Sequence, residues 1–197
     1  MTGVVDISAI IPVERDHGDL ETLHLAYKTA LEDFGKTYEI VYVLDGNLPG
    51  SLEKLKVMQV KDQTTRIVQL AKKFGEDAAL STGFMYSTGD TILTLPAYYQ
   101  IQASEIGKIL RELQDQDMVV ARRWPRRGSR LQSLRRRTFH KLLRAITNVE
   151  LSDLGCRVRA FKREVCREIP IYGDQFRLMP VVAIRQGFRV KELDVAQ

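Results

Sequence analysis

The sequence predicts an α/β fold, with a largely parallel sheet flanked by helices. Three observations carry that expectation. Short β-rich apolar runs alternate with segments whose apolar residues recur at helical spacing. The first of those runs is almost continuously apolar, as in parallel strands covered on both faces. The chain has 197 residues and 44% hydrophobic content, enough to bury one full core around such a sheet.

The elements follow in order. ISAIIPV (7–13) is the first buried strand. Leu20, Leu23, Tyr27, Leu31 and Phe34 then mark a helix ended by Gly35. YEIVYVLDG (38–46) is a second strand closed by Asp-Gly, followed by a short helix SLEKLKVMQV and a third strand TRIVQLA. EDAALSTGFMYSTGD is a helix ended by Gly89, TILTL a fourth strand, SEIGKILRELQ a helix and DMVVARR a fifth strand. Beyond Arg123 the alternation loosens into a basic helix, a short CRVRAF segment, two helical stretches and a last strand, FRVKEL. No repeat, low-complexity tract or linker interrupts this, so residues 1–197 are expected to form one domain.

Composition narrows the function classes. Charged residues make up 28%, which argues against disorder. No apolar run approaches the roughly 20 residues that span a bilayer. MTGVVDISAIIP carries Asp6 and no leading basic cluster, so it reads as a first strand rather than a signal peptide. Cys156 and Cys166 have no metal-like spacing and read as two ordinary thiols.

The net charge of +5 is local in origin. RRWPRRGSRLQSLRRRTFHKLLR (122–144) holds no acid. Leu131, Leu134, Thr138, Leu142 and Ile146 form an apolar stripe there, widened by Phe139 and Leu143, with Arg130, Arg135, Arg136, Arg137, Lys141 and Arg144 on the other faces. Such a helix suits a membrane surface or a phosphate group, and the same charge would suit nucleic acid. No zinc-finger spacing or aromatic RNA-binding strand motif supports the last.

In open α/β sheets ligands sit outside the carboxyl ends of the strands. Those ends are Pro12 to Asp16, Asp45 to Asn47, Lys72 to Gly75, Pro96 to Gln100 and Arg122 to Trp124. Asp45 can accept hydrogen bonds from a ligand's base or ribose, or merely close an Asp-Gly turn. Lys72 and Lys73 stand beside a helix start at Gly75, a place that suits a diphosphate, although solvated lysines would look the same. The turn Pro96-Ala97-Tyr98-Tyr99-Gln100 contains no carboxylate.

Together, ISAIIPV, YEIVYVLDG, IVQLAKKFGEDAALSTGFMYSTGD and SDLGCRVRAFKREVCREIPIYGDQFRLMPVVAIRQGFRVKEL resemble the family 2 glycosyltransferases. The branch most resembled is that of the dolichyl- and polyprenyl-phosphate sugar synthases. The resemblance implies a GT-A fold, with a Rossmann-like nucleotide-binding half (1–123) and an acceptor half (124–197). It implies a nucleotide-sugar donor, UDP- or GDP-linked, held by Pro12, Val13, Glu14, Asp45, Lys72, Gly75, Ala97, Tyr98 and Gln100. It assigns Asp153 and Asp174 to the catalytic side, and Arg123, Arg136, Arg159 and Arg177 to the phosphates of acceptor and leaving group. A structural ion pair of Arg159 or Arg177 with Asp153 or Asp174 is the alternative.

The sequence also departs from the family pattern. Leu44 replaces the first acid of Asp-Asp-Gly-Ser, and Glu14-Arg15-Asp16 stands where the family has Tyr-Asn-Glu. Pro96-Ala97-Tyr98 stands where the family's Asp-Ala-Asp would hold Mg²⁺ or Mn²⁺, so the usual metal site cannot form. The resemblance therefore implies sugar transfer to a polyprenyl phosphate or similar acceptor for the cell envelope, with cationic side chains in place of metal. A pseudo-transferase that binds a partner protein or lipid is the second reading, and a nucleic-acid binder a remote third. The expected setting is the cytoplasmic face of a membrane, with relatives continuing past KELDVAQ towards membrane helices, and a homo-oligomer or membrane partner left open.

Overall fold

The structure is a computed structural model that describes residues 4–125, 151–171 and 173–197, with backbone alone at 173 and 174. Among these residues seven strands form one sheet: β1 (Ile7–Val13), β2 (Tyr38–Leu44), β3 (Thr65–Gln69), β4 (Thr91–Thr94), β5 (Met118–Arg123), β6 (Arg159–Lys162) and β7 (Val190–Val195). The helices are α1 (Leu20–Phe34), α2 (Pro49–Lys61), α3 (Glu76–Tyr86), α4 (Ile106–Glu112), α5 (Arg163–Glu168) and α6 (Met179–Arg185). The basic helix expected over 126–146, Arg136 included, lies outside the described residues.

Strand order is β3-β2-β1-β4-β6-β5-β7. β1 pairs in parallel with β2 and β4, β2 with β3, and β5 with β7; β6 is antiparallel to both β4 and β5. Six strands thus point one way and β6 alone runs back. Strands from 1–123 and from 124–197 alternate within the one sheet.

Period-2 alternation divides the core. Ala9, Ile11 and Val13 of β1 join Ile40, Tyr42 and Leu44 of β2 under Leu20, Leu23, Tyr27 and Leu31 of α1, with Ile106 and Ile109 of α4. Ile10, Val41 and Val43 point the other way, under Ala79, Leu80 and Phe84 of α3. Both faces are covered, which is why these strands read as continuous apolar runs.

The expected elements form, and their ends shift for local reasons. β2 stops at Leu44, releasing Asp45 and Gly46 into a turn. α2 starts earlier than the helical pattern, at Pro49, where the fixed φ of proline suits a first helical turn. α3 stops at Tyr86, because Ser87 turns extended and Gly89 then runs against β1. A Cβ on Gly89 would lie 2.7 Å from the Ser8 nitrogen, so only glycine allows that approach.

Candidate active site

The carboxyl ends of β1, β2, β3 and β4 open on one edge of the sheet, and there the chain forms two adjoining clefts. The first, of about 350 Å³, takes Pro12, Glu14, Arg15 and His17 from the end of β1. Its other walls are Lys73 and Glu76 from the β3–α3 turn, Pro96, Ala97 and Tyr98 after β4, and Arg157 just before β6. The second, of about 370 Å³, is bounded by Glu76 and Asp77 of α3, Leu154 and Gly155, Arg157 and Arg159, and Phe176 and Arg177. Glu76 and Arg157 belong to both.

Reversal of β6 brings these arginines to the edge. Thr94, the last residue of β4, stands opposite Arg159, so Arg157 falls beside the turn that follows β4. That turn anchors it: Gln100 Oε1 accepts the Arg157 backbone N–H at 2.8 Å, and Thr94 Oγ1 donates to the Arg157 carbonyl at 2.8 Å. The Arg157 guanidinium reaches Glu76 through Nη1, which also lies 3.5 Å from Glu14 Oε2. Burial pushes the Glu76 carboxyl up to about 7; Arg157 opposes that rise, and neighbouring Glu14 and Asp77 add to it.

Of the residues expected to hold a donor, Pro12, Glu14, Ala97 and Tyr98 line the first cleft, whereas Val13 is wholly buried in the core. The Asp45 carboxylate accepts the backbone N–H groups of Phe74 (2.7 Å) and Gly75 (2.9 Å), with Gly75 at φ +98°. That contact locks the β3–α3 turn across the edge, a longer reach than the local Asp-Gly bond its sequence suggests. Lys72 places its ammonium over the Phe74 ring, 5.3 Å from the centroid, and Lys73 faces the cleft. Gln100 is buried, donating to the Tyr98 hydroxyl at 3.3 Å while holding Arg157. The Tyr98 ring stacks on His17. Asp16 accepts the Ser51 N–H at 2.6 Å and so caps α2.

Of the residues expected at the acceptor, Arg159 is 1% exposed and donates to the carbonyls of Phe176, Leu154 and Arg177, with its guanidinium 4.3 Å from the Phe176 ring. Burial lowers its pKa to about 10, which leaves it protonated at neutral pH. Its Nε is buried without a hydrogen-bond partner among the described residues. Asp77 accepts the Phe176 N–H at 2.8 Å. Asp153 is 2% exposed and held in a two-point grip by Arg123, at 2.7 and 2.9 Å. This pair ties the end of β5 to the segment before β6, and neither residue lines the two clefts. The Asp174 side chain lies outside the described residues. Arg122, first of the basic run, is matched by Asp194 and Glu192 of β7.

Sequence reasoning passed over His17, Glu76 and Arg157, and included Arg15 only as part of the strand end 12–16. Nothing in CRVRAF separates Arg157 from the other arginines of the chain; the antiparallel register of β6 does so.

The turn after β4 does not present the oxygen ligands that a divalent metal takes. Magnesium and manganese need converging oxygen ligands, and residues 96–100 supply no carboxylate. Glu14 and Glu76 already bracket a guanidinium, and among the described residues no three His, Cys, Asp or Glu side chains come together to hold an ion.

Comparison with known proteins places this geometry. The chain is 26% identical over 196 residues to an undecaprenyl-phosphate 4-deoxy-4-formamido-L-arabinose transferase of Aeromonas hydrophila subsp. hydrophila, covering 98% of this chain and 60% of that protein. The protein of the same name from Shewanella sediminis is 27% identical over 191 residues, covering 96% of this chain and 58% of its own. The chain thus spans about 60% of the length of these curated relatives. Among solved structures, glucosyl-3-phosphoglycerate synthase from Mycobacterium tuberculosis, with Mn²⁺, UDP and phosphoglyceric acid, superposes with a TM-score of 0.74 at 16% identity, covering 98% of this chain and 69% of that one. A mannosyltransferase from Pyrobaculum calidifontis with GDP-mannose and Mn²⁺ gives 0.71 at 16%, covering 100% and 57%. The fold is GT-A, a mostly parallel sheet flanked by helices. The model of the family named glycosyl transferase family 2 matches residues 8–170, most of the chain, and the protein belongs to that family.

Proposed function

We propose that this chain transfers a sugar from a nucleotide diphosphate donor to a polyprenyl phosphate, without a divalent metal. One observation carries the reading: two clefts meet at Glu76 and Arg157 on the carboxyl edge, and both are lined by cations. The first takes the donor, with Lys73, Arg15 and Arg157 facing its diphosphate. The second takes the acceptor phosphate, with Arg159 and Arg177 among its lining residues. The curated relatives carry undecaprenyl phosphate in their names, which supports this acceptor class.

The chemistry asks little of a general base. A phosphate monoester has a second pKa of about 6 and arrives as a nucleophilic oxyanion. Its oxygen bonds to the anomeric carbon as the bond from that carbon to the diphosphate oxygen breaks, and the diphosphate leaves with the electron pair. The protein's task is to hold the two anions in line and to stabilise the charge on the leaving group. Asp153, held by Arg123, then acts only by fixing the segment that leads into β6. Because the acceptor is a membrane lipid, the reaction belongs at the inner membrane face; no helix among the described residues is long and apolar enough to cross a bilayer.

The test is direct. The protein is incubated with undecaprenyl phosphate in detergent and each of several UDP- and GDP-sugars, in EDTA, and the lipid fraction is examined by mass spectrometry. A glycosylated lipid phosphate is expected with one donor. Nucleotide binding with no glycolipid from any donor would sink the transfer reading and leave a binding module.

A further inference from the structure

The first cleft has a feature that the family likeness does not supply: a side-chain cation fixed from both directions. Arg157 is held at its backbone by Gln100 and Thr94, which are the two ends of the turn after β4. Its guanidinium is braced by Glu76 and Glu14 through the single nitrogen Nη1. Nε and Nη2 make no hydrogen bond among the described residues, and the side chain is 37% exposed in the wall of the cleft. A guanidinium so placed offers two parallel donors, the fork that matches a phosphate in two-point geometry.

We infer that Arg157 is the built-in cation that receives the donor's diphosphate, at the point where the turn 96–100 lacks the carboxylates to hold a metal. This rests on the nucleotide-sugar reading above. The carboxylates brace the guanidinium without cancelling it. Glu14 is 3.5 Å away and partly exposed, and burial raises the Glu76 carboxyl to about 7, so it is only partly ionised at neutral pH. Lys73 and Arg15 add two further cations around the same space, so the cleft is net positive without metal. A fixed guanidinium also sits at the boundary with the second cleft, where charge builds on the departing diphosphate and the acceptor phosphate must approach.

Isothermal titration of the full chain with UDP, GDP, uridine and guanosine, in EDTA and in Mn²⁺, tests the inference. One of the two diphosphates is expected to bind with the same Kd, within twofold, in EDTA and in Mn²⁺. Arg157→Gln should weaken that diphosphate at least tenfold while changing the matching nucleoside less than twofold. Arg157→Lys, which keeps the charge and loses the fork, should fall between wild type and Arg157→Gln, and it keeps the test open should Arg157→Gln fail to fold. Diphosphate binding that vanishes in EDTA, or that survives in both Arg157 variants unchanged, overturns the inference alone. Wild-type protein that binds neither UDP nor GDP overturns the nucleotide-sugar reading itself, and this inference with it.

Discussion

Arg123 grips Asp153 at two points, Nε to Oδ2 at 2.7 Å and Nη2 to Oδ1 at 2.9 Å, with the carboxylate 2% exposed. The bond joins the last residue of β5 to the chain that leads into β6 and its arginines. Removing one member of a buried ion pair typically costs ~3–5 kcal/mol. Arg123→Met is therefore expected to lower the urea-unfolding free energy by about 3 kcal/mol. Adding Asp153→Leu should restore part of that loss. A double variant whose loss equals the sum of the two single losses would show that the two residues do not act as a pair.

Asp45 holds the β3–α3 turn by two backbone N–H groups, with Gly75 at φ +98°. Asp45→Ala removes both acceptor bonds and releases the turn that carries Lys73 and Glu76. Expected is a loss of about 2–3 kcal/mol in stability, together with a weaker affinity for UDP or GDP. An Asp45→Asn protein with intact stability and intact nucleotide affinity would argue that the carboxylate does neither.

Glu76 makes the fold pH-sensitive. Its folded pKa is raised to about 7 from a reference of 4.5, chiefly by burial. Between those values the folded chain holds a proton that the unfolded chain has released, so stability falls as pH rises from about 4.5 to 7 and is level above. Unfolding at pH 5 and pH 8 should differ by roughly 2 kcal/mol through this group. Glu76→Gln should lose that part of the slope and be the more stable protein at pH 8. An identical slope in the variant would refute the assignment.

Gly83 sits in α3 where the helix crosses β1. A Cβ there would lie 2.3 Å from Ile10 Cγ2, a methyl of a wholly buried strand residue. Gly83→Ala gains about 1 kcal/mol of helix propensity, but overpacking costs roughly 1–3 kcal/mol. The expected result is a thermal midpoint lowered by several degrees, with nucleotide affinity reduced as α3 shifts with Glu76. A raised midpoint would mean that the sheet yields to the methyl group.

Much of this was legible in the residues. ISAIIPV forms β1 at the expected bounds, and the Leu20–Phe34 periodicity forms α1, because a run apolar on both faces and a 3.6-residue stripe each have one cheap way to be buried. Boundaries were less legible where a distant contact set them. Gly89 was expected to end α3, whereas the helix stops at Tyr86 to let Gly89 pass close to Ser8. The site residues divide the same way. Pro12, Glu14, Ala97 and Tyr98 do line the first cleft, since strand ends mark the ligand edge of any such sheet. Arg157 and Glu76 were invisible, because nothing local distinguishes them from solvated charges.

The sequence by itself determined the layered α/β architecture, which residues end the strands at the carboxyl edge and the missing carboxylates in the turn after β4. Those follow from local periodicity and from residue identity, which need no distant partner. Only the tertiary structure decided which charges meet. It ran β6 backwards beside β4, set Arg157 on Gln100 and Thr94, and gave Asp153 to Arg123. Electrostatic partners are chosen by distance in space, and the chain crosses more than fifty residues to bring Gln100 to Arg157.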